Sequence, residues 1–202
     1  WLPDYAATAR AAFEAGADLF FANSRRYGNE RTRFEWAQGS GHELVAAQHE
    51  AVPGVEGLHL YRGDFYDFAI RRSGIISTST LAFRHERLPG LRFEPRLFNG
   101  QDRYFKLQLA QQARRCAFGL RVGATEGRGI NIFDSSQWGS GKSLNLLLNY
   151  LRLTQLILAE MPLSPPQRAH VRGQRARLRA DVASTVLLQL RSRIPLRADL
   201  LG

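Results

Sequence analysis

Residues 75–84 read I-I-S-T-S-T-L-A-F-R, and residues 98–110, after a short loop, read F-N-G-Q-D-R-Y-F-K-L-Q-L-A. The first stretch is enriched in Ile and Thr and predicts a β-strand from Ile75 to Arg84. The second has apolar residues at helical spacing and predicts a helix that begins at Asp102 and ends near Arg115. The middle of the chain is therefore expected to pass from strand to helix through an acidic turn.

Asp102 stands at the start of that predicted helix, where its carboxylate has two interpretations. Free backbone N–H groups and the helix dipole stabilise an ionised carboxylate at this position. Asp102 could act only as an N-cap, which is a common use of aspartate. A partly enclosed carboxylate that faces a cleft could instead serve as a general base. The spacing alone leaves both interpretations open.

The rest of the chain alternates helical and short apolar segments, which predicts an α/β fold. The first helix follows Pro3-Asp4, because proline and aspartate both suit a first helical turn, and Gly16 ends it. Ser24 to Val55 is polar and predicts a long, partly ordered excursion. The other predicted elements are extended segments at Ala17–Asn23, Gly57–Asp64 and Cys116–Val122 and helices at Phe65–Arg72, Lys142–Met161 and Pro166–Arg193.

The composition fits a globular protein, and the 202 residues are enough for one sizeable core. Cys116 is the only cysteine, which excludes an internal disulfide and a cysteine-based zinc site. The net charge of +10 suits nucleic acid, acidic lipid or phosphorylated substrates. Only Lys106 and Lys142 of the 28 basic residues are lysines, however, and so strong an arginine bias can reflect codon composition. The charge alone therefore identifies no ligand.

The last predicted helix suggests a function in binding and not in catalysis. One stripe along it is basic and then apolar, and it consists of Arg168, Arg172, Arg175, Arg179, Val182, Val186 and Leu190. This stripe predicts either a solvated face that docks on the body by its apolar end, or a module that binds anionic membrane or nucleic acid. The aromatic residues lack the alternating display of base-stacking modules, which disfavours nucleic acid.

A third hypothesis, an ATPase, comes from residues 139–143, Gly-Ser-Gly-Lys-Ser, which match the end of a phosphate-binding loop. The full pattern requires a glycine where this chain has Ser136. Lys142 and Ser143 are better explained as the opening of a helix, with Ser143 as a capping residue. An ATPase that uses Lys142 is therefore the least favoured hypothesis.

Four segments together carry a resemblance to a known family. They are Trp1-Leu-Pro-Asp-Tyr, Ile75–Arg84, Arg92-Phe93-Glu94-Pro95 and Asn99-Gly100-Gln101-Asp102. In this order they resemble family 2 glycosyltransferases of bacterial polysaccharide synthesis, and the resemblance extends to about Glu160. The family equivalents are the segment after the D-x-D motif, the strand before the acceptor site, a G-F-D-E/P segment and the G-[ED]-D motif.

The resemblance implies an inverting glycosyltransferase of the cell envelope with a partial GT-A fold. This would be a Rossmann-like sheet with flanking helices, formed by residues 1–142, and a C-terminal helical extension, formed by residues 143–202. By the resemblance Asp102 is the base that deprotonates the acceptor. Gln101 could hydrogen-bond the acceptor, Arg103 and Arg84 could assist with phosphate or acceptor charge, and Trp138 could stack on a sugar.

The implied partners are a nucleotide-sugar donor and a saccharide or lipid-linked acceptor, at a cytoplasmic location with peripheral contact to the inner membrane. Gln101 stands where the family usually has Glu or Asp, so this position lacks a negative charge. No D-x-D motif occurs in the chain, and Asp64 and Asp67 have the wrong spacing for one. The nucleotide-binding half and the ligands of a divalent cation, Mg²⁺ or Mn²⁺, are therefore expected before Trp1. The isolated fragment is expected to have little or no activity.

Overall fold

The structure, a computed structural model, describes residues 1–39, 43–127 and 141–191, and these residues form an α/β fold. The helices in this part of the chain are α1 (Tyr5–Glu14), α2 (Arg33–Ala37), α3 (Phe65–Arg72), α4 (Gln101–Gln112), α5 (Gly141–Glu160) and α6 (Pro165–Arg191). The strands are β1 (Leu19–Arg26), β2 (Glu50–Ala51), β3 (Leu58–Leu60), β4 (Leu81–Phe83) and β5 (Cys116–Glu126). The predicted α/β class with a C-terminal helical segment is confirmed.

The chain divides into two compact units. The sheet unit consists of Trp1–Phe93 and Phe105–Gly129, and the helical unit consists of Glu94–Tyr104 and the described part of Ile130–Gly202. The sequence placed the division near residue 142, because nothing in it indicated that residues 94–104 contact the C-terminal helices. One such contact is the Tyr104 hydroxyl, which donates to Glu160 of α5 at 2.8 Å.

The sheet is mixed, with the strand order β2-β3-β5-β1-β4. β1 and β5 pair in parallel, and every other neighbouring pair is antiparallel. The first four residues of β1 and of β5 are all buried. Burial of both faces explains why these two strands are continuous apolar runs rather than alternating ones.

The core lies on both faces of β1, because successive side chains of a strand point in opposite directions. Phe20 packs with Tyr5 and other residues of α1. Phe21, on the opposite face, contacts the rings of Phe34, Phe65 and Phe118 at centroid distances of 6.0, 5.9 and 6.2 Å. The central strand is therefore held by helix α1 on one side and by an aromatic cluster on the other.

The pairing of β1 with β5 contains an irregularity on both sides of Asn23. Irregularities of this kind leave backbone groups without ladder partners. The Asn23 side chain compensates, since its Nδ2 donates to the carbonyl of Leu120 at 3.2 Å and its Oδ1 accepts from the backbone N–H of Phe34 at 3.1 Å. One buried amide therefore connects β1 to β5 and to α2.

The predicted strand from Ile75 to Arg84 is wrong for most of its length. Only Leu81–Phe83 forms a strand, and Thr78–Thr80 forms a 3-10 turn before it. The Thr80 hydroxyl donates to the carbonyl of Ala22 at 2.6 Å and accepts from the N–H of Ala22 at 3.2 Å. Because this side chain takes the place of a backbone ladder partner, the strand can begin only at the next residue.

The other predicted elements agree with the structure to within a few residues, except at two places. β5 continues to Glu126, four residues beyond the predicted end. The polar excursion after β1 contains α2, which begins with a capping box between Thr32 and Glu35. In that box the Thr32 N–H donates to the Glu35 carboxylate at 2.6 Å, and the Glu35 N–H donates to the Thr32 hydroxyl at 3.3 Å.

The helical unit is built on α5 and α6, which are joined by a short turn and contact each other along their length. Leu153 and Ile157 of α5 and Val171 of α6 are almost completely buried. Ser164 and Gln167 cap α6 reciprocally, with the Ser164 N–H donating to Gln167 Oε1 at 2.9 Å. None of the described helices is both long and apolar enough to cross a bilayer.

Gly123 of β5 gives a test of the packing in the sheet unit. A Cβ atom at this position would lie 2.8 Å from Tyr5 Cδ2 and 2.9 Å from Ala22 Cβ. We expect Gly123→Ala to lower the free energy of unfolding by about 1–3 kcal/mol, because closely packed atoms must move apart. Gly119→Ala in the same strand is the control, since its Cβ would meet no atom closer than 3.4 Å. Urea unfolding of the two variants measures the difference, and equal midpoints would contradict this packing.

Candidate active site

The turn before α4 places Asp102 at the protein surface. Gly100 has φ +82°, a left-handed conformation that favours glycine, and a Cβ there would lie 2.9 Å from a methyl carbon of Leu153. The helix begins at Gln101, so Asp102 lies in its first turn and not at the N-cap position. The Asp102 residue is exposed, whereas Asn99 is buried. The prediction that this carboxylate occupies the first turn of a helix is confirmed.

Asp102 is electrostatically coupled to Arg103 and Tyr150. Burial, and then the Asp102 carboxylate, raise the pKa of the Tyr150 hydroxyl. Burial lowers the pKa of the Arg103 guanidinium, and the charges of Tyr150 and Asp102 oppose that shift. A guanidinium neighbour and the N-terminal end of a helix both favour the ionised form of a carboxylate. The Asp102 carboxylate is therefore an exposed group with a tyrosine and an arginine as electrostatic neighbours.

Arg103 is anchored on α6. Its Nη2 donates to Gln174 Oε1 at 2.8 Å, and Gln174 Nε2 lies 2.9 Å from His170 Nε2. The Arg103 Nε is buried and has no hydrogen-bond partner among the described residues. These contacts fix the first turn of α4 against α6. A contact of Arg103 with substrate phosphate stays a prediction.

Gln101 also stabilises this turn, because its amide Nε2 donates to the carbonyl of Leu97. This hydrogen bond holds the loop before α4 to the first residue of the helix. Gln101 therefore contributes a neutral amide at the position where the resemblance leads one to expect an acid. A hydrogen bond from Gln101 to an acceptor stays a prediction.

Arg84 lies in the sheet unit, where its guanidinium supports the end of α1. It donates to the carbonyls of Phe13 at 2.6 Å and Ala17 at 3.2 Å, and it lies over the Phe13 ring at 5.4 Å from the centroid. The last carbonyls of a helix are open to donors from outside it, and Arg84 donates to Phe13 in the last turn of α1 and to Ala17 just beyond it. Substrate contact by Arg84 stays a prediction. Trp138 lies outside the described residues, as does the side chain of Lys142 from the phosphate-loop alternative.

A cavity of about 520 Å³ lies in the sheet unit at the carboxyl ends of β1 and β5. Ligand sites in α/β proteins commonly form at the carboxyl ends of parallel strands. The side chains that give this cavity its chemical character are those of Ser24, Arg26, Arg31, Arg33, Trp36 and Glu126. None of these residues was predicted as a site residue from the sequence.

Glu126 organises the wall of this cavity by accepting several hydrogen bonds. Arg33 Nη2 donates to both of its oxygens at 2.7 Å, and the hydroxyls of Ser77 and Ser24 donate at 2.6 and 2.8 Å. Arg33 Nη1 also donates to the carbonyl of Gly74 at 2.7 Å. The end of β5 is thereby tied to β1, to α2 and to the segment before β4.

Two opposing effects act on the Glu126 carboxyl. Burial alone would raise its pKa, but the hydrogen bonds from Ser77, Arg33 and Ser24 and the charge of Arg33 outweigh burial and lower the pKa. Glu126 is therefore an ionised structural anion. Sequence reasoning missed it because its contact with Ser24 depends on strand pairing between distant segments. The only local signal was that Ser24 directly follows one predicted apolar strand and Glu126 comes four residues after the end of another.

Among the described residues, no three His, Cys, Asp or Glu side chains are grouped so that they could hold a metal ion. These residues do not by themselves fit the Mg²⁺ or Mn²⁺ that the sequence resemblance implies. We therefore assign no step of the chemistry below to a metal ion held by this part of the chain.

Comparisons with protein-family models, with curated proteins and with solved structures find no match for this chain. The resemblance to family 2 glycosyltransferases therefore rests on the four sequence segments alone. Any further argument about function therefore uses the geometry of the described residues, which does not depend on that resemblance.

Glu126→Gln tests the network around the cavity. We expect it to lower the free energy of unfolding by about 1–3 kcal/mol at pH 7, because Arg33 loses its counter-charge at a partly buried site. The folded-state pKa of Glu126 is lowered, so its stabilising contribution is present above the ordinary value of 4.5 and is lost as the pH falls through the folded-state value. Wild type should therefore lose more stability than the variant on acidification below about pH 4.5.

Chemical unfolding of the two proteins at pH 3 to 7 measures this difference. Glu14→Gln is the matched control, because it removes the counter-charge of Arg10 in an ion pair that is exposed on α1. Exposed ion pairs contribute little to stability, so this control should resemble wild type. The same acid dependence in wild type and in Glu126→Gln would show that Glu126 does not have the role described.

Proposed function

We propose that this chain forms the acceptor-side part of an inverting glycosyltransferase with a GT-A fold, in which Asp102 is the general base. The observation that supports the proposal is the exposed Asp102 carboxylate in the first turn of α4, beside Arg103 and after the Gly100 turn. A general base must be ionised and accessible to the proton that it accepts. The helix terminus and the guanidinium favour that ionised form.

In the proposed reaction, Asp102 accepts the proton of an acceptor hydroxyl while the hydroxyl oxygen attacks the anomeric carbon of the donor sugar. A new C–O bond forms, and the bond between the anomeric carbon and the nucleoside diphosphate breaks. The diphosphate leaves with the electron pair. One base is sufficient, because a direct displacement needs no second carboxylate as a nucleophile, in contrast to retaining glycosidases.

The donor is a nucleotide sugar, and the acceptor is a saccharide or a lipid-linked saccharide. The proposal includes a Mg²⁺ or Mn²⁺ ion in the intact protein, with ligands outside the described residues, and a cytoplasmic role in polysaccharide synthesis of the bacterial cell envelope. Gln101 and Arg103 serve as positioning residues, because their observed hydrogen bonds to Leu97 and Gln174 hold the turn that carries Asp102.

Asp102→Asn in the intact protein tests the role of Asp102. We expect the rate of sugar transfer to fall on the order of a hundredfold or more, because asparagine cannot accept the proton. Asp4→Asn is the control, since Asp4 is also an exposed aspartate at the N-terminal end of a helix. Transfer to the acceptor is measured with radiolabelled donor at saturating concentrations. A rate within about threefold of wild type would rule out Asp102 as the base.

A second candidate function, binding to anionic membrane, is supported by the exposed face of α6. Along this face runs an apolar stripe with spacings of four and three residues, formed by Ala169, Gly173, Ala176, Ala180, Ala183, Leu187 and Leu190. Leu187 and Leu190 are 67% and 57% exposed. Exposed arginines at positions 172, 177, 179 and 191 flank the stripe on both sides. An apolar stripe between cationic side chains suits the surface of an anionic bilayer.

This basic face differs from the stripe predicted from the sequence. Arg168 and Arg175 are only partly exposed, and Arg168 Nη1 donates to the carbonyl of Leu158 in α5 at 3.0 Å. Val182 and Val186 are also partly covered. The contact between α5 and α6 therefore turns half of the predicted stripe away from solvent and leaves a neighbouring one exposed.

Neutralising the flanking arginines tests membrane binding. We expect the variant with Arg172, Arg177, Arg179 and Arg191 changed to Gln to lose most of its binding to phosphatidylserine vesicles, because each basic residue near the surface contributes about 1 kcal/mol. The control carries the same charge change at Arg10, Arg62, Arg114 and Arg121, which are exposed in the sheet unit. Co-sedimentation measures binding. Equal loss in both variants would indicate a non-specific effect of net charge, and retention on DNA instead would assign the face to nucleic acid.

A further inference from the structure

We propose that the cavity at the carboxyl ends of β1 and β5 binds a saccharide that carries a negative charge, as a carboxylate or as a phosphate. The inference rests on the proposed function only in taking the ring of the ligand to be a sugar. The requirement for negative charge follows from the cavity itself.

The charges that line the cavity do not balance. Glu126 is the acid in its wall, and its carboxylate is already paired with Arg33. Arg26 and Arg31 also line the cavity and are exposed, and their guanidinium groups form no ion pair with a described residue. Three arginines and one acid therefore line the cavity, and a ligand anion would neutralise the excess positive charge. Arginine is well suited to this because its planar guanidinium can donate two parallel hydrogen bonds to a carboxylate or a phosphate.

Other charged groups lie close to Arg31 but do not remove this excess. Glu35, on α2, has its pKa lowered first by hydrogen bonds from Thr32 and then by the charges of Arg25 and Arg31. Its carboxylate accepts from the Thr32 N–H in the capping box, so it is held at the start of α2. Arg25 adds a further positive charge to the same region. The electrostatic potential around the cavity is therefore positive, which attracts anionic ligands.

Trp36 supplies a flat apolar surface next to these cations. Its side chain is 64% exposed, which is unusual for a large aromatic residue, and it lines the cavity from α2. The Arg31 guanidinium lies 5.8 Å from the centre of the Trp36 ring. Because the guanidinium lies over the ring, the part of the indole that Arg31 does not cover can contact the apolar face of a sugar while Arg31 binds its anionic substituent. Phosphate or carboxylate ions without a sugar ring would contact the guanidinium but would leave the Trp36 ring without a contact.

The size and rigidity of the cavity also fit a ligand site. Its volume of about 520 Å³ falls in the range of roughly 300–1,000 Å³ that is typical of small-molecule sites. The hydrogen bonds of Glu126 with Arg33, Ser24 and Ser77 fix one wall, and the capping box fixes the helix that carries Trp36. A preformed site loses less conformational entropy when it binds a ligand.

Isothermal titration calorimetry on the full 202-residue chain tests the proposal with four probes: glucuronate, glucose 6-phosphate, glucose and inorganic phosphate. We expect one or both anionic sugars to bind at least about tenfold more tightly than glucose, because hydrogen bonds to a charged group are stronger than those between neutral groups. They should also bind more tightly than inorganic phosphate, and salt should weaken the binding. A preference for glucuronate or for glucose 6-phosphate identifies the anion.

Three variants locate the binding. Arg26→Gln and Arg31→Gln should each weaken the anionic sugar by about tenfold and leave the glucose affinity unchanged. Trp36→Ala should weaken both. Arg114→Gln is the control, because Arg114 is exposed in the sheet unit but does not line the cavity. Circular dichroism confirms that each variant is folded.

Three results would overturn the proposal: affinities for both glucuronate and glucose 6-phosphate no higher than for glucose, equal affinities for inorganic phosphate and the anionic sugars, or unchanged binding in the Arg26 and Arg31 variants. Tighter binding of uridine monophosphate than of either anionic sugar would reassign the cavity to a nucleotide. These outcomes are independent of Asp102, since binding is measured without transfer. Anionic sugars can bind even if Asp102→Asn retains activity, and Asp102 can be the base even if the cavity binds no sugar.

Discussion

The parallel pairing of β1 with β5 is the interaction on which the sheet unit depends. It buries the first four residues of both strands, β3 and β4 pair with their outer edges, and β2 pairs with β3. It also brings Ser24, at the end of one strand, to the Glu126 carboxylate at the end of the other. Where the register is irregular, the buried Asn23 amide accepts from the Phe34 N–H and donates to the Leu120 carbonyl.

Local patterns in the sequence predicted those elements that local forces determine. Helix α3 was predicted at its observed bounds, because Asp64 and the apolar spacing after it are sufficient to define it. The strand proposed for Ile75–Arg84 was wrong because Thr80 bonds to Ala22, 58 residues away. A side chain that replaces a backbone partner leaves no trace in composition or periodicity. The stripe on α6 shows the same limit, since spacing identified a common face but could not show which face α5 would cover.

The residues of the candidate site also divide into those that local patterns predict and those whose contacts only the folded chain reveals. The Asn-Gly turn and the helical period were enough to place Asp102 in a first helical turn, and the structure agrees. Arg84 was proposed as a substrate contact, but its position after a strand could not reveal that the carbonyls of Phe13 and Ala17 would use its donors. Glu126 and Arg33 were missed for the converse reason. They are 93 residues apart, and only the folded sheet brings them together.

Two acids of the sheet unit have structural roles that their contacts define. Asp18 is buried and accepts from Arg87 and from the backbone N–H groups of Arg114 and Arg115, and these bonds outweigh burial and lower the pKa of its carboxyl. Glu126 is held in the same way. Several donors hold each of these two carboxylates in place and lower its pKa, which suits a structural anion. Asp102 differs from both in exposure, because it lies in the first turn of a helix at the protein surface.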